Sequence, residues 1–441
     1  MLIRPPWYSW VLLAVCAAAF LIRGPIRAVG SEGYIDAPLL LSAAATWHSG
    51  GNPYNLDSVK NTFGADAAVI TATLSRGAQA FVYSPPAYAF LGTLTYLPWS
   101  TRLLVWNWLN ATLFFISLVL ICKIAWFPIR SLAGFAILGI GLASYPGQLN
   151  IQYGQTAILM LFLMSLSWYA APGGGEIVSR QRILLSSLAM GLAAVIKPQI
   201  VLVFMAADFY TGRRAVALGA VVAAAVLFLS AVTIHGDAVQ ITLDWVGNMR
   251  ALMDVDANPL TRASGHVPHL LINLQSPIAV LTGSRTAASF LALLACILMA
   301  WRYVSVARHN PLAVADHPMA WLNALSAASV LMLLVFYHRA YDSVFLMIPV
   351  AFAVRRIGDQ DKRGWVLLAL LALPLIASYS YAFHLLYPTA IAGNEYLIDP
   401  PRIVEAIVIQ HQTWLLVAVF FVLCELRRRR KAASPIHGLV A

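Results

Sequence analysis

The chain has 441 residues, of which 60% are hydrophobic and only 11% are charged. Soluble globular proteins carry about 25% charged residues, so this composition excludes a soluble enzyme and indicates an integral membrane protein. The formal net charge is +11, but the basic residues form short clusters beside apolar runs, as topology determinants do, and no nucleic-acid partner is expected.

Twelve apolar segments are candidate membrane spans, which predicts an all-α polytopic membrane protein with a single domain over residues 1–441. Several are shorter than the ~20 residues that cross a bilayer comfortably, so they require tilting or local thinning of the bilayer. The first is interpreted as an uncleaved span rather than a signal peptide. In chain order the segments are Trp7–Ile22, Arg102–Cys122, Ser131–Tyr145, Thr156–Ala171, Ile183–Ile196, Gln199–Tyr210, Ala215–Ile234, Thr286–Val306, Met319–Phe336, Asp342–Val354, Trp365–Tyr381 and Thr413–Leu426.

The positions of lysine and arginine predict the orientation, because cytoplasmic loops are enriched in both. Arg213-Arg214, Arg355-Arg356 and the basic tail 427–441 are assigned to the cytoplasm, together with both termini. A large first outer loop, residues 28–84, and a second one, residues 235–285, then face the periplasm or the cell exterior.

One segment, Pro85–Leu97, allows two topologies. If it crosses the membrane, Arg180 and Arg182 move outside unless Ile183–Tyr210 is one bent helix. If it is re-entrant, these arginines stay inside and Lys197-Pro198 becomes a tight outer turn between two short spans. We favour the re-entrant version, and both versions give about twelve crossings.

Asp36 is the first candidate for chemistry. It follows the first span and precedes an apolar-faced helix, Ala37–Trp47, which is predicted to end at Ser49-Gly50-Gly51. An acid in this position stabilises the free N–H groups of a helix as a cap. Alternatively, a carboxylate on the outer face accepts a proton from a hydroxyl nucleophile as a general base.

His338, Arg339 and Asp342 form the second candidate group, in the sequence FYHRAYDSVFLMIP. Arg339 and Asp342 have the i, i+3 spacing at which an ion pair closes a helical hairpin. Alternatively, charges at the edge of a span mark a substrate path, where two cationic groups would hold a phosphate.

Lys197, in AAVIKPQI, is the third candidate. The proline after it is expected to break the helix at this point. A lysine between apolar runs either extends its ammonium group to the membrane surface or, in the outer-turn topology, joins His338 and Arg339 near Asp36.

Two polar stretches give weaker signals. Gln148 and Gln155, in YPGQLNIQYGQTA, would hydrogen-bond sugar hydroxyls, or they would only satisfy backbone groups freed by a helix break. Tyr83-Ser84-Pro85-Pro86 is interpreted as a re-entrant turn. No glycine-rich phosphate loop, Gly-x-Ser-x-Gly elbow or Cys/His metal spacing is present in the sequence, so no metal site is predicted.

The order and spacing of several motifs resemble the family 87 glycosyltransferases, which include polyprenol-phosphate-mannose mannosyltransferases. The resemblance covers roughly Tyr34 to Pro349. Its carriers are Asp36, Gly51-Asn52-Pro53-Tyr54, Phe81-Val82-Tyr83-Ser84-Pro85-Pro86, Gly154-Gln155, Lys197-Pro198, and His338 with Tyr341-Asp342.

The resemblance implies a GT-C type fold and a lipid-phosphate sugar donor. On that pattern Asp36 is the general base and the reaction inverts the anomeric carbon, while Lys197, His338 and Arg339 stabilise the departing polyprenyl phosphate. The remaining candidate residues are expected to bind substrate: Asn52, Tyr54, Tyr83, Gln155, Tyr341 and Asp342 from the matched motifs, and Gln148 from the polar break. The family's Asn-x-Ser stretch is missing from Ala257–Leu271, which is expected to contribute to acceptor binding.

The sequence therefore predicts a hexosyltransferase of the inner cell membrane, with mannose as the expected sugar and a lipid or glycan as the acceptor. No cofactor is expected, although a weakly held divalent ion stays open. The alternatives are a lipid-linked sugar flippase or transporter, and an O-antigen ligase-like enzyme. A transporter more often has two related halves, and no such repeat is visible in the sequence.

Overall fold

The computed structural model describes residues 5–30, 36–63, 81–173, 178–254, 271–308, 318–335, 338–376, 391–392, 395–396 and 401–428. Arg4, parts of both predicted outer loops, nearly all of Ala257–Leu271 and the basic tail from Arg429 lie outside the described residues.

Helices form nearly all of the described chain. They are α1 (Trp7–Leu21), α2 (Arg27–Gly30), α3 (Ala37–His48), α4 (Leu56–Phe63), α5 (Pro85–Leu91), α6 (Trp99–Ile124), α7 (Leu132–Ala143), α8 (Tyr145–Tyr153), α9 (Ala157–Ala170), α10 (Arg180–Ile196), α11 (Pro198–Tyr210), α12 (Arg214–His235), α13 (Ala238–Asp254), α14 (Gln275–Thr282), α15 (Arg285–Arg308), α16 (Pro318–Val335), α17 (Met347–Gly358), α18 (Arg363–Ile376), α19 (Arg402–Val404) and α20 (His411–Arg428).

Short segments of other geometry join some of these helices. They are π-helical turns at Ile22–Ile26 and Glu405–Ile409, 3₁₀ turns at Gly92–Tyr96 and Ala340–Leu346, and two short antiparallel strands, β1 (Ile391–Ala392) and β2 (Glu395–Tyr396). The architecture is helical as predicted, with this strand pair as its exception in the described part.

Five helical segments within the described residues are long and apolar enough to cross a bilayer, and up to seven if each bent helix pair is one span. The five are Trp7–Val29, Trp99–Ile124, Arg214–His235, Arg285–Val306 and Pro318–Val335. Large apolar side chains on their surfaces remain exposed, for example Val222 at 63% and Leu229 at 61%. This exposed apolar surface fits a protein surrounded by lipid.

Prolines account for the breaks between several short helices, because proline has no backbone N–H to donate. α7 and α8 meet at 46° just before Pro146. α10 ends at Ile196 and α11 begins at Pro198, so the predicted break at Lys197-Pro198 is confirmed. The carbonyl of Pro25, in the π-helical turn, accepts a hydrogen bond of 2.9 Å from the Nδ2 of Asn107.

Different buried polar groups lie at the two ends of the helical bundle. Near the start of α16, the guanidinium of Arg213 lies 5.7 Å from the ring of Trp321. Arg427 and Asn323 both hydrogen-bond the hydroxyl of Tyr303 at the same end. α16 has 18 residues, or about 27 Å, and His338 follows its other end. We call these the arginine end and the histidine end.

Pro85–Leu97 begins and returns at the histidine end. Ser84, just before α5, donates to the carbonyl of Val195, two residues before Lys197. In the second turn of the helix that follows, Trp106 donates to the carbonyl of Gly154 at 2.9 Å.

Lys197 likewise lies at a turn between two helices that run in opposite directions. Arg213, just beyond α11, donates at 2.9 Å to the hydroxyl of Ser186, in the first half of α10. The far end of α11 therefore returns to the beginning of α10, and Lys197 is left at the histidine end.

Candidate active site

Asp36 stands at the start of α3, but its side chain does not cap that helix. Its Oδ2 accepts a hydrogen bond from the Nε2 of Gln155 instead. The Asp36 backbone N–H donates to the carbonyl of Tyr153 at 3.1 Å. The cap interpretation therefore fails for the side chain, and the carboxylate is directed toward the break between α8 and α9.

Gly154 makes the close approach at this break possible. It has a φ of +69° and ends α8 in the left-handed region, which glycine adopts without a steric cost. A Cβ atom placed on Gly154 would lie 2.3 Å from the Cβ of Ala37. Only glycine therefore lets the break reach the first residue of α3, and this contact brings Gln155 to Asp36.

Asp342 connects two basic side chains. Its Oδ1 lies 3.1 Å from the Nζ of Lys197, and its Oδ2 lies 3.0 Å from the Nδ1 of His338. The exposed fractions are 8% for Lys197, 3% for Asp342 and 1% for His338. One of the two interpretations of this segment paired Asp342 with Arg339, whereas the observed partners of its carboxylate oxygens are Lys197 and His338.

The Nε2 of His338 is buried and has no hydrogen-bond partner among the described residues. Buried polar atoms are nearly always paired, so an unpaired one requires an explanation. The backbone around it is fixed, because the N–H of Ile272 donates to the carbonyl of His338 at 2.8 Å and Arg339 forms an antiparallel bridge with Leu271. The orphaned nitrogen is thus held in a rigid position.

Tyr83 is within electrostatic reach of both the Asp36 group and the Lys197–Asp342–His338 group. Burial raises the pKa of its phenol, the charge of Lys197 lowers this pKa, and the carboxylates of Asp36 and Asp342 raise it. All three charges therefore act on one hydroxyl.

A chain of hydrogen bonds also joins the two groups. The N–H of Gln155 donates to the carbonyl of Asn150 at 2.9 Å, and the Nδ2 of Asn150 donates to the carbonyl of Tyr341 at 2.7 Å. The ring of Tyr341 lies 5.2 Å from the Nζ of Lys197. The two groups therefore form one constellation at the histidine end.

Three other predicted residues make contacts within the protein. Gln148 donates to the carbonyls of Leu142 and Ala143 at 3.3 Å, so it satisfies backbone groups freed by the break. Asn52 donates to Oδ2 of Asp244 at 2.6 Å. Tyr54 donates to the carbonyl of Tyr83 at 2.8 Å.

Sequence reasoning missed the role of α13 and of Thr156. On α13, Asp244 contacts Asn52, Trp245 donates to the carbonyl of Val82 at 3.0 Å, and Asn248 donates to the carbonyl of Tyr54 at 3.1 Å. The i, i+4, i+8 spacing of Gln240, Asp244 and Asn248 was the available signal of a polar helix face. Thr156 donates to the hydroxyl of Tyr83 at 3.1 Å.

A cavity of about 590 Å³ lies at the other end of α3, away from Asp36. Its lining is polar or glycine throughout: Ser49, Gly50, Gly51, Asn52, Asn55, Asp57, Ser58, Asn61 and Thr62. α3 has 12 residues, so the cavity is about 18 Å from the Asp36 carboxylate.

Within the described ranges, no group of three or more His, Cys, Asp or Glu residues is placed to hold a metal ion. Comparison with protein families gives one finding: a family model described as glycosyltransferase family 87 matches residues 81–336, more than half of the chain. The matched range contains Tyr83, Gln155 and Lys197, whereas Asp36 and His338 lie outside it. No curated protein and no solved structure matches the chain.

Proposed function

Because the chain belongs to glycosyltransferase family 87, and is thus a membrane glycosyltransferase, we propose that it transfers a hexose from a polyprenyl-phosphate donor. Mannose is the proposed sugar, and a hydroxyl of a lipid or glycan is the proposed acceptor. The reaction takes place on the extracytoplasmic face and inverts the configuration of the anomeric carbon.

The observation that carries this proposal is the pairing of two unlike groups at the histidine end. The Asp36 carboxylate is hydrogen-bonded through Oδ2, and Oδ1 makes no hydrogen bond with the described residues. In the second group, Nε2 of His338 has no hydrogen-bond partner among the described residues, and Nδ1 of the same ring contacts Asp342. A glycosyl transfer needs one group that accepts a proton and another that binds an anionic leaving group.

In the proposed reaction the acceptor hydroxyl gives its proton to the Oδ1 of Asp36. Its oxygen attacks the anomeric carbon of the sugar from the side opposite the phosphate and forms the new glycosidic bond. The bond between the anomeric carbon and the phosphate oxygen breaks, and both electrons leave with the polyprenyl phosphate.

The leaving phosphate receives a hydrogen bond from His338 Nε2. Lys197 and Arg339 carry more positive charge than the single carboxylate of Asp342 neutralises, and a net positive charge stabilises a departing anion. Asp342 fixes the ring of His338 through Nδ1 and thereby directs Nε2 toward the substrate, where Nε2 donates in the form of the ring that carries a proton on both nitrogens. The chemistry requires no metal ion.

We further propose about twelve crossings in a GT-C type arrangement, with the arginine end and both termini in the cytoplasm. The number of crossings is supported by shorter helices such as α9, α11 and α18, which connect the two ends beside the five long spans. The orientation is supported by the arginine end, because positive residues favour the cytoplasmic side. The histidine end, with its 28–84 and 235–285 loops, then faces the periplasm.

The test is the transfer of radiolabelled sugar from polyprenyl-phosphate-mannose to membrane acceptors, with the purified protein and its Asp36→Asn variant. Loss of a general base lowers the rate by about 100- to 10,000-fold. Transfer by the wild type that is lost in a folded Asp36→Asn protein supports both the function and the base. Equal transfer by both proteins excludes Asp36 as the base.

No transfer by either protein excludes the mannose donor. Parallel reactions with other polyprenyl-phosphate sugars and with diphosphate-linked glycans then separate another donor sugar from a ligase-like reaction. Movement of the donor across the membrane of vesicles that contain the protein, without any glycosylated product, would identify a transporter.

A further inference from the structure

The hydrogen bonds around Asp36 run in one direction. Thr156 Oγ1 donates to the hydroxyl oxygen of Tyr83 at 3.1 Å, and the Tyr83 hydroxyl donates to Oε1 of Gln155 at 3.3 Å. The Nε2 of Gln155 then donates to Oδ2 of Asp36. Tyr83 and Gln155 each accept one hydrogen bond and donate the next, so in this donor chain every donor meets an acceptor.

The orientation of the Gln155 amide follows from its two neighbours. Burial raises the pKa of Tyr83, so its phenol keeps its proton and must donate it. Asp36, as the proposed general base, carries a carboxylate that can only accept hydrogen bonds. The amide therefore has its oxygen toward Tyr83 and its nitrogen toward Asp36, and the reversed orientation would place oxygen against oxygen at the carboxylate.

The backbone under this amide is also fixed. Gln155 is 5% exposed and Thr156 is 0% exposed. Gly154 holds the left-handed turn, and the N–H of Gln155 is bonded to the carbonyl of Asn150. Both polar ends of the side chain are occupied by protein groups, which does not suit a residue that binds a sugar hydroxyl.

We propose that Gln155 and Tyr83 are positioning residues, in place of the substrate-binding role expected from the sequence. The donor chain from Thr156 holds Oδ2 of Asp36 and turns Oδ1 toward the acceptor hydroxyl. Tyr83 contributes by selecting the amide orientation that donates to the carboxylate. This inference rests on the proposed role of Asp36 as the general base.

Kinetics of mannose transfer from polyprenyl-phosphate-mannose test the inference with Gln155→Ala, Tyr83→Phe and the double variant. We expect kcat to fall about 10- to 30-fold for Gln155→Ala and about 3- to 10-fold for Tyr83→Phe, as for misplaced catalytic groups. The KM for the donor should stay within about twofold of the wild type. The double variant should be no slower than Gln155→Ala alone, because Tyr83 acts only through Gln155.

The matched control is Tyr303→Phe, which removes another buried, hydrogen-bonded tyrosine hydroxyl at the arginine end. Its kcat should equal that of the wild type. A raised KM with an unchanged kcat in Gln155→Ala or Tyr83→Phe would overturn the inference in favour of substrate binding. Losses that multiply in the double variant would overturn it as well.

A second measurement needs no turnover and separates this inference from the proposed function. Apparent unfolding temperatures are measured for Asp36→Asn, for Tyr83→Phe and for the two substitutions together. The same three variants are then measured in a protein that also carries Gln155→Ala. Shifts that are non-additive with Gln155 and additive without it support the donor chain, even if mannose is the wrong sugar. Additive shifts in both backgrounds overturn it.

Discussion

Asp342 contacts both buried basic side chains, because one of its carboxylate oxygens binds Lys197 and the other binds His338. A buried ion pair is costly to desolvate, and the removal of one partner leaves the other charge buried and unpaired. The pair therefore stabilises the protein only while both partners are present.

We expect Asp342→Asn to lower the free energy of unfolding by about 3–5 kcal/mol, the usual cost of breaking a buried pair. Thermal unfolding in detergent measures this loss. The combination Asp342→Leu with Lys197→Met removes both charges and should recover most of the stability. If the combined variant is as unstable as Asp342→Asn, the stability loss does not come from the unpaired lysine.

The combined variant should nevertheless remain inactive, because His338 has lost the carboxylate that orients its ring. The combined variant should therefore be more stable than Asp342→Asn, although neither variant transfers sugar. Recovery of sugar transfer along with stability would show that Asp342 and Lys197 serve the fold alone.

His338 makes a separate prediction at the same scale. Replacement by alanine removes the donor proposed for the leaving phosphate, and loss of one such donor costs about 100- to 1,000-fold in kcat. Steady-state transfer rates check this value. The control is His411→Ala, because the ring of His411 contacts the carbonyl of Val408 outside the candidate site. Equal rates for the two variants would contradict a role of His338 in the chemistry.

At the scale of elements, the site depends on breaks between helices rather than on the helices themselves. Asp36 precedes α3, Gln155 follows α8, Lys197 separates α10 from α11, and His338 follows α16. Residues at such breaks have free backbone groups and few neighbours of their own helix, so polar side chains can converge there.

The contact between Gly154 and Ala37 gives a prediction at this scale. Gly154→Ala should lower sugar transfer by about 100-fold, because a displacement of about 1 Å at a catalytic group has an effect of that size. Gly236→Ala is the matched control: its φ is +94°, and a Cβ there meets no atom within 4 Å. In both variants the alanine must adopt the left-handed backbone conformation, which destabilises the protein by roughly 1–2 kcal/mol.

Transfer rates and unfolding temperatures of the two glycine variants are compared directly. If Gly236→Ala loses as much activity as Gly154→Ala, backbone strain explains the loss and the approach to Ala37 does not.

The sequence predicted the helices and their breaks because proline, glycine and apolar runs act locally. The stop of α3 after His48, with φ of +80° at Gly50, and the break at Lys197-Pro198 are examples. Partners were harder to predict. The i, i+3 spacing offers Arg339 as a partner of Asp342, whereas Lys197 is 145 residues away from Asp342 in the chain. No local pattern encodes the pairing of Lys197 with Asp342.

The roles of Gln155 and Thr156 illustrate the same limit. Glutamine in a polar break is equally compatible with a sugar ligand and with a structural amide. Only the position of Tyr83, 72 residues earlier, shows which end of the amide is occupied.

At the scale of the whole molecule, the arginine end and the histidine end make the proposed orientation testable. Asp57 lines the same cavity as Gly51, whose carbonyl oxygen is 3.0 Å from Nε2 of His235 at the end of α12 farthest from Arg213, so Asp57 belongs to the histidine end. We expect Asp57→Cys to react with a membrane-impermeant maleimide on intact cells. The side chain of Asp57 is 86% exposed. Lys362→Cys, in the exposed turn between α17 and α18, should react only after permeabilisation. The reverse pattern would place the candidate site in the cytoplasm.

The long sequence separations within the site also bear on how the protein is made. Asp36 meets Gln155 across 119 residues, Asn52 meets Asp244 across 192, and Lys197 meets Asp342 across 145. The ribosome must therefore pass residue 342 before the constellation closes. Under the proposed mechanism, a chain released early has its acid without the groups proposed to orient it or to bind the phosphate, and we therefore expect a partly inserted protein to have no transfer activity.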